Sequence, residues 1–146
     1  MSRFNLHTRL MGMNKKTRTT WIWLVGIVLA HLLISLVHGS AHTNALVALS
    51  PAATVFVFAV ILAGPLVGLA LTWVSRPIGA AVVAVTMAGA LIFGVINHFV
   101  LSSPDHIAQV DPQWRPLFAT TAVLLAATEA LASVLAIQTM RERRVV

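Results

Sequence analysis

Cysteine is absent from this sequence, and its absence excludes disulfides, thiolate metal sites and thiol redox chemistry. Charge is also scarce: 10% of the residues are charged, whereas charged residues approach about a quarter of an average soluble protein. Hydrophobic residues make up 58% of the chain, and the mean hydropathy is +0.89. This composition excludes an ordinary soluble globular protein, and 146 residues leave room for one domain.

Charged residues are missing altogether from long stretches of the chain. None occurs in 19–75 or in 77–104, and Glu129 is the single one in 116–140. A membrane-spanning helix needs about 20 mostly apolar residues, so the first stretch holds two spans and each of the others holds one. The sequence therefore predicts an all-α integral membrane protein with four transmembrane helices, at about residues 20–40, 51–75, 78–101 and 113–139.

The net charge of +6 is compatible with nucleic-acid binding, but the positions of the basic residues favour a membrane topology instead. Nine of the ten lysines and arginines precede span 1, lie between spans 2 and 3, or follow span 4, and only Arg115 lies at the other end. The positive-inside rule then predicts that both termini are cytoplasmic, in a bacterial-type inner membrane. A basic arm over 1–19 and a basic tail over 141–146 flank the transmembrane domain over 20–140, and no nucleic-acid partner is expected.

A cleavable signal peptide is the alternative for the first hydrophobic segment. Basic residues ending at Arg18 precede this segment, and the small residues 39–41 follow it. However, the apolar run from Trp21 to Val37 is longer than an ordinary signal core and contains His31. We therefore expect an uncleaved first helix.

Successive spans alternate in direction, which predicts an antiparallel four-helix bundle. Ser50-Pro51 is a favourable start for span 2, with serine as the cap and proline in the first turn. The Ser103-Pro104 pair repeats this signal, so a short interfacial helix to about Val110 is expected between spans 3 and 4. Within span 2, Pro65 cannot donate a hydrogen bond to the preceding turn and should bend the helix.

Histidines mark one face of span 1. His31, His38 and His42 fall on a single helical stripe together with Ser35. His31 lies near the middle of the membrane, whereas His38 and His42 lie near its outer face. Span 3 and the segment after it bring further polar residues to the same outer level, namely Asn97, His98, Asp105 and His106.

These outer residues are of the types that bind transition metals. Neutral imidazole is the commonest nitrogen ligand for zinc, copper and iron, and His38 and His42 are spaced to bind one ion from one helix face. His98 and His106 are predicted as further ligands, with polar support from Asp105, Asn97 and Ser35. The alternative is a polar rim in which the same histidines form hydrogen bonds to loops.

Haem b is a second interpretation of the same histidines. Membrane cytochromes hold iron between two histidines on facing helices, and His38 and His98 lie at similar depth. Gly39 and Gly94 would leave room for a porphyrin.

Glu129 is the only acidic residue within a predicted span, and His31 lies at a similar depth. A charged acid in the hydrocarbon region is costly and normally faces the bundle interior, water or a partner. The pair is therefore predicted either to exchange protons or to form a hydrogen bond that fixes helix packing.

Three functions follow from these patterns. The first is a metal- or haem-binding subunit with an outward-facing site, active in redox chemistry or metal handling. The second is a proton-coupled carrier of an ion or small molecule that uses Glu129 and His31. The third is a non-catalytic accessory subunit, because alanines at every fourth position of span 4 allow close approach of a second copy or a partner membrane subunit. No nucleotide-binding glycine loop or Ser-His-Asp arrangement is present.

Overall fold

The computed structural model describes residues 15–141, so the predicted arm over 1–14 and tail over 142–146 lie outside the described residues. Four long helices make up the described part of the chain, and no strand occurs there. They are α1 (Lys15–Asn44), α2 (Pro51–Leu71), α3 (Arg76–Val100) and α4 (Arg115–Arg141). All four are long and apolar enough to cross a membrane, which confirms the predicted number of spans.

The helices pack around α4, which contacts both α1 and α3, while α2 packs mainly on α3. Leu24 near the start of α1 shares a buried cluster with Val83 of α3 and Ala136 near the end of α4. At the opposite end of the bundle, Ala41 of α1 packs with Phe118 near the start of α4. The spans are therefore antiparallel in succession, and α1 runs parallel to α3.

Glycines set the close packing of α2 on α3. A Cβ atom added at Gly79 would lie 2.6 Å from the backbone oxygen of Gly68 and would also collide with the backbone nitrogen of Thr72. A side chain at this position would force the two backbones apart. The small residues of these spans thus bring α2 and α3 together within the chain.

Proline shapes α2 at both its start and its middle. Ser50 caps the helix by accepting a hydrogen bond from the Ala53 amide at 3.2 Å, and Pro51 follows in the first turn, as the sequence predicted. Before Pro65 the helix widens into a π-helical segment over Val57–Ala63. Pro65 has no N–H to offer the carbonyl of Ile61. That carbonyl instead lies 3.3 Å from Nε2 of His31 on α1.

The connection between α3 and α4 differs from its prediction. Residues 102–114 form successive turns and bends rather than a short helix. The amide of Ile107 bonds back to the His98 carbonyl at 3.0 Å, which turns the chain toward the end of α3. The Arg115 guanidinium donates to the carbonyls of Val110 and Ala108 at 3.0 and 3.2 Å. Together with single turns such as His106 N–H to the Ser103 carbonyl, these bonds hold the segment in a non-helical path.

Candidate metal centre

Three histidines meet at the end of the bundle where α1 and α3 end and α4 begins. His38 and His42 lie one turn apart on α1, and His98 lies in the π-helical turn Ile96–Val100 that ends α3. One ring nitrogen from each histidine lies within 4.8 Å of the others, so the group could hold a metal ion. We call these three residues the histidine triad.

Thr121 of α4 fixes the orientation of His38. Nδ1 of His38 lies 2.8 Å from Oγ1 of Thr121. The threonine hydroxyl has a single proton, and it donates that proton within its own helix, to the carbonyl of Leu117 at 2.8 Å or of Phe118 at 3.0 Å. With that proton so placed, the same oxygen can accept from Nδ1–H of His38. In that tautomer Nε2 of His38 carries the lone pair.

Asp105 has the same effect on His98. Nδ1 of His98 lies 3.1 Å from the backbone oxygen of Asp105 and 3.2 Å from its carboxylate Oδ1. Both neighbours are acceptors, so Nδ1 carries the proton and Nε2 carries the lone pair. A carboxylate or carbonyl behind a histidine is the usual support for a metal-binding imidazole.

The two Nε2 atoms face each other. Nε2 of His38 and Nε2 of His98 are 3.3 Å apart, and both rings are buried. With a proton on either Nε2 the two nitrogens share a hydrogen bond, and with both ring protons on Nδ1 they present two lone pairs to a cation. Two nitrogens bound to one tetrahedral metal ion at 2.0–2.1 Å would be separated by ~3.3 Å. The separation therefore suits a shared cation.

His42 and Asp105 complete the group. Nδ1 of His42 lies 3.4 Å from the carbonyl of Val47, and its Nε2 lies 3.3 Å from Oδ1 of Asp105. That carboxylate oxygen is buried and lies between the imidazoles of His98 and His42. Burial raises the pKa of Asp105, but contact with His98 and the nearby imidazoles of His42 and His38 hold this pKa below its ordinary value. The triad thus has an anionic neighbour.

Phe118 of α4 forms an apolar wall against the triad. Its ring centroid lies 4.7 Å from that of His38, 4.8 Å from His42 and 5.3 Å from His98, and the side chain is fully buried. An apolar shell of this kind limits water access and lowers the local dielectric around a bound ion.

The remaining predicted site residues lie apart from the triad. His106 lies outside it, and its Nδ1 accepts from the Ala108 amide at 3.1 Å within its own turn. The side-chain amide of Asn97 donates to the Phe93 carbonyl at 2.8 Å, within α3. Ser35 lies 3.3 Å from Nε2 of His31 rather than beside the triad. Sequence reasoning missed Thr121 and Phe118, although a threonine within span 4 at the depth of His38 was a usable signal.

The bis-histidine haem interpretation does not fit this geometry. Axial ligands on opposite sides of one iron would be separated by about twice the metal–nitrogen bond, ~4 Å, with the porphyrin plane between them. Nε2 of His38 lies 3.3 Å from Nε2 of His98, and the ring centroids are 4.9 Å apart. No porphyrin plane fits between them.

His31 and Glu129 form a second buried polar group, deeper in the bundle. Nδ1 of His31 lies 3.8 Å from Oε1 of Glu129, and the two residues are 1% and 3% exposed. Nε2 of His31 lies 3.3 Å from both the Ile61 carbonyl and the Ser35 hydroxyl. With the proton on Nε2, it donates to the Ile61 carbonyl and Nδ1 presents its lone pair to Glu129.

One cavity of about 480 Å³ connects the two groups. The triad, Asp105 and Glu129 all contribute to its lining, and most of the remaining walls are apolar. Comparisons of the chain with protein-family models, curated proteins and solved structures found no match. The chemistry of the centre therefore rests on its own geometry.

Proposed function

We propose that this chain is a small multi-pass membrane protein that binds a divalent transition-metal ion through His38, His42 and His98 and takes part in handling that metal. The observation that carries the proposal is the cluster of three buried or half-buried imidazoles, in which Nε2 of His38 and Nε2 of His98 are 3.3 Å apart. A bound cation would be held by both Nε2 atoms at once, while Asp105 supports His98 through its Nδ1.

The donor set favours zinc or copper. Three imidazole nitrogens with a nearby carboxylate suit Zn(II) or Cu(II), and the sequence has no thiolate. Structural zinc sites are closed by four protein ligands, whereas sites with three protein ligands keep a position for water or another molecule. The triad belongs to the second kind, which favours exchange or chemistry over a purely structural role.

The distribution of charge supports an outward-facing site. Lys15, Arg18, Arg76 and Arg141 lie at the end of the bundle opposite the triad, and Arg115 lies at the end that holds it. Basic residues concentrate on the cytoplasmic side of a membrane protein. We therefore propose a bacterial-type inner membrane with both termini cytoplasmic and the triad on the outer side.

Metal analysis of the purified protein tests this proposal. After equilibration with Zn(II) or Cu(II) and removal of free metal, we expect about one equivalent of bound ion. His38→Ala and His98→Ala should each lose it, because two imidazoles remain. His106→Ala is the matched control, since His106 lies at the same end but outside the triad, and it should retain wild-type metal. A wild-type metal content in both triad variants would contradict the proposal.

A proton-coupled carrier is the second candidate, favoured by the contact of 3.8 Å between His31 and Glu129 beside the same cavity. The titratable side chains that face Glu129 are His31 from α1 and His98 from α3, and α2 contributes only the Ile61 carbonyl at His31. Glu129→Gln keeps the shape of the side chain and removes the exchangeable charge. In vesicles, this variant should abolish pH-dependent metal uptake while metal binding to the triad persists.

A further inference from the structure

The cavity beside the triad has the size and the walls of a small-molecule site. Its volume of about 480 Å³ falls within the range of roughly 300–1,000 Å³ that ligand pockets occupy. All four helices contribute to it, and its walls between the two polar groups are mainly aliphatic and aromatic. They include Val57, Ile61, Leu62, Phe93 and Leu125.

The cavity opens sideways, between α1 and α2. These two helices make little direct contact, whereas α4 packs closely on α1 and on α3, and α3 packs closely on α2. Leu36 of α1 and Phe58 of α2 both line the cavity, yet they are 59% and 63% exposed. They therefore flank its mouth. In a span, that mouth faces the lipid hydrocarbon, so a molecule can reach the cavity from within the bilayer.

The polar end of the cavity selects the head of such a molecule. The triad supplies three neutral ligands, so a divalent ion bound there keeps one free coordination position and retains positive charge even beside the single carboxylate of Asp105. An anionic oxygen is the natural ligand for that position. The apolar walls between the triad and the mouth suit a hydrocarbon chain rather than a second polar group.

We infer that the cavity binds a single-chain carboxylate amphiphile, whose carboxylate coordinates the triad metal and whose alkyl chain runs along the apolar walls to the mouth between Leu36 and Phe58. This inference rests on the proposed metal site. It adds the class of molecule on which the site acts and the direction from which that molecule arrives.

Two glycines of α1 provide a matched pair for testing the cavity. A Cβ added at Gly39 or at Gly26 meets no atom within 4 Å, and both residues are exposed, so a side chain can be introduced at either position. Gly39 lines the cavity, and Gly26 does not. Gly39→Leu therefore fills part of the space that the alkyl chain would occupy, while Gly26→Leu makes the same change on the same helix elsewhere.

The experiment uses the full chain in detergent, loaded with Co(II) as a spectroscopic probe of the triad. Dodecanoate, acetate and dodecanol are titrated separately, and the visible absorption of the bound cobalt is recorded. Acetate has the carboxylate without the long alkyl chain, and dodecanol has the alkyl chain without the carboxylate. The alkyl chain of dodecanoate also partitions into the detergent micelle, but this partition is the same for all variants. A difference between variants therefore reports binding in the cavity.

We expect dodecanoate to perturb the cobalt spectrum at far lower concentration than acetate, and dodecanol to leave it unchanged. Gly39→Leu should weaken the dodecanoate response about 15- to 50-fold, since it displaces roughly two to three methylenes from the walls. Its acetate response should stay at the wild-type value, and Gly26→Leu should match wild type with every probe.

Two results would overturn the inference in distinguishable ways. If cobalt binds through the triad but Gly39→Leu and Gly26→Leu respond to dodecanoate alike, the cavity does not hold the chain, and the metal site stands. If the wild-type protein gives no histidine-bound cobalt spectrum, the metal site itself fails, and the amphiphile site fails with it.

Discussion

Thr121 offers the sharpest test of how the triad is organised. Its hydroxyl oxygen accepts the Nδ1 proton of His38 at 2.8 Å and thereby keeps the lone pair on Nε2, facing His98. Thr121→Val removes that acceptor with little change in volume. The Nδ1 proton then either stays without a partner in a buried position or moves to Nε2, where it occupies the nitrogen that would bind metal.

The second consequence weakens metal binding, because a metal ion must then return the proton from Nε2 to Nδ1, where it has no partner. A buried donor left without a partner costs about 1–3 kcal/mol. Loss of a group that orients a metal-binding histidine typically lowers metal affinity 10–100-fold, which corresponds to about 1.4–2.8 kcal/mol. We therefore expect Thr121→Val to bind Zn(II) 10–100-fold more weakly than wild type, in line with that typical loss.

Competition against a chelator of known zinc affinity measures this change in detergent-solubilised protein. Thr121→Ser keeps the hydroxyl and should bind zinc within a few-fold of wild type. Thr128→Val is the matched control on the same helix, because the hydroxyl of Thr128 bonds only to its own helix, at Leu124 and Leu125. It should leave zinc affinity unchanged.

Two outcomes would refute the assigned role of Thr121. Equal zinc affinities for Thr121→Val and Thr128→Val would show that the tautomer of His38 does not depend on this hydroxyl. A loss in Thr121→Ser as large as that in Thr121→Val would assign the effect to the packing of the threonine methyl group instead.

Two further predictions concern stability. Zinc at 100 times its dissociation constant should stabilise the wild-type protein by about 2.7 kcal/mol and raise its unfolding temperature. This increase should be absent in His98→Ala. An equal increase in the variant would indicate that zinc binds elsewhere. Gly79→Ala should destabilise the apoprotein by about 1–3 kcal/mol, because the added methyl meets the backbone of α2. Gly89→Ala, whose methyl makes ordinary contacts at 3.7 and 3.9 Å, is its control, and equal unfolding temperatures for the two variants would contradict this account of the α2–α3 contact.

The spans followed directly from the sequence because the membrane imposes a strong constraint on composition. Charged residues are excluded from the hydrocarbon, so the charge-free stretches 19–75 and 77–104 marked three helices almost on their own. Helix ends were less accurate: span 1 was expected to end near residue 40, but α1 continues to Asn44. This additional turn contains His42 and places it one turn from His38 on the same face of α1, so that both belong to the triad.

The predicted depth of a residue in the membrane does not show which residues it contacts. By depth, His98 and His106 both belong to the outer level, but only His98 lies in the triad. The end of α3 directs His98 toward α1, while the turn after Asp105 satisfies His106 locally. The predicted interfacial helix failed for a related reason, since the Ser103-Pro104 signal is local and the bond from Ile107 to the His98 carbonyl is not.

The proline in α2 explains why a histidine is tolerated at the centre of the bundle. Pro65 leaves the Ile61 carbonyl without its helical donor, and an unpaired carbonyl in the hydrocarbon region is costly. His31 on α1 supplies a donor to this carbonyl. The carbonyl gains a hydrogen-bond partner, and so does the buried imidazole. When His31 donates in this way, its Nδ1 presents a lone pair to Glu129. The polar stripe on α1 therefore serves two sites, because His31 contacts α2 through the Ile61 carbonyl and His38 contacts α4 through Thr121.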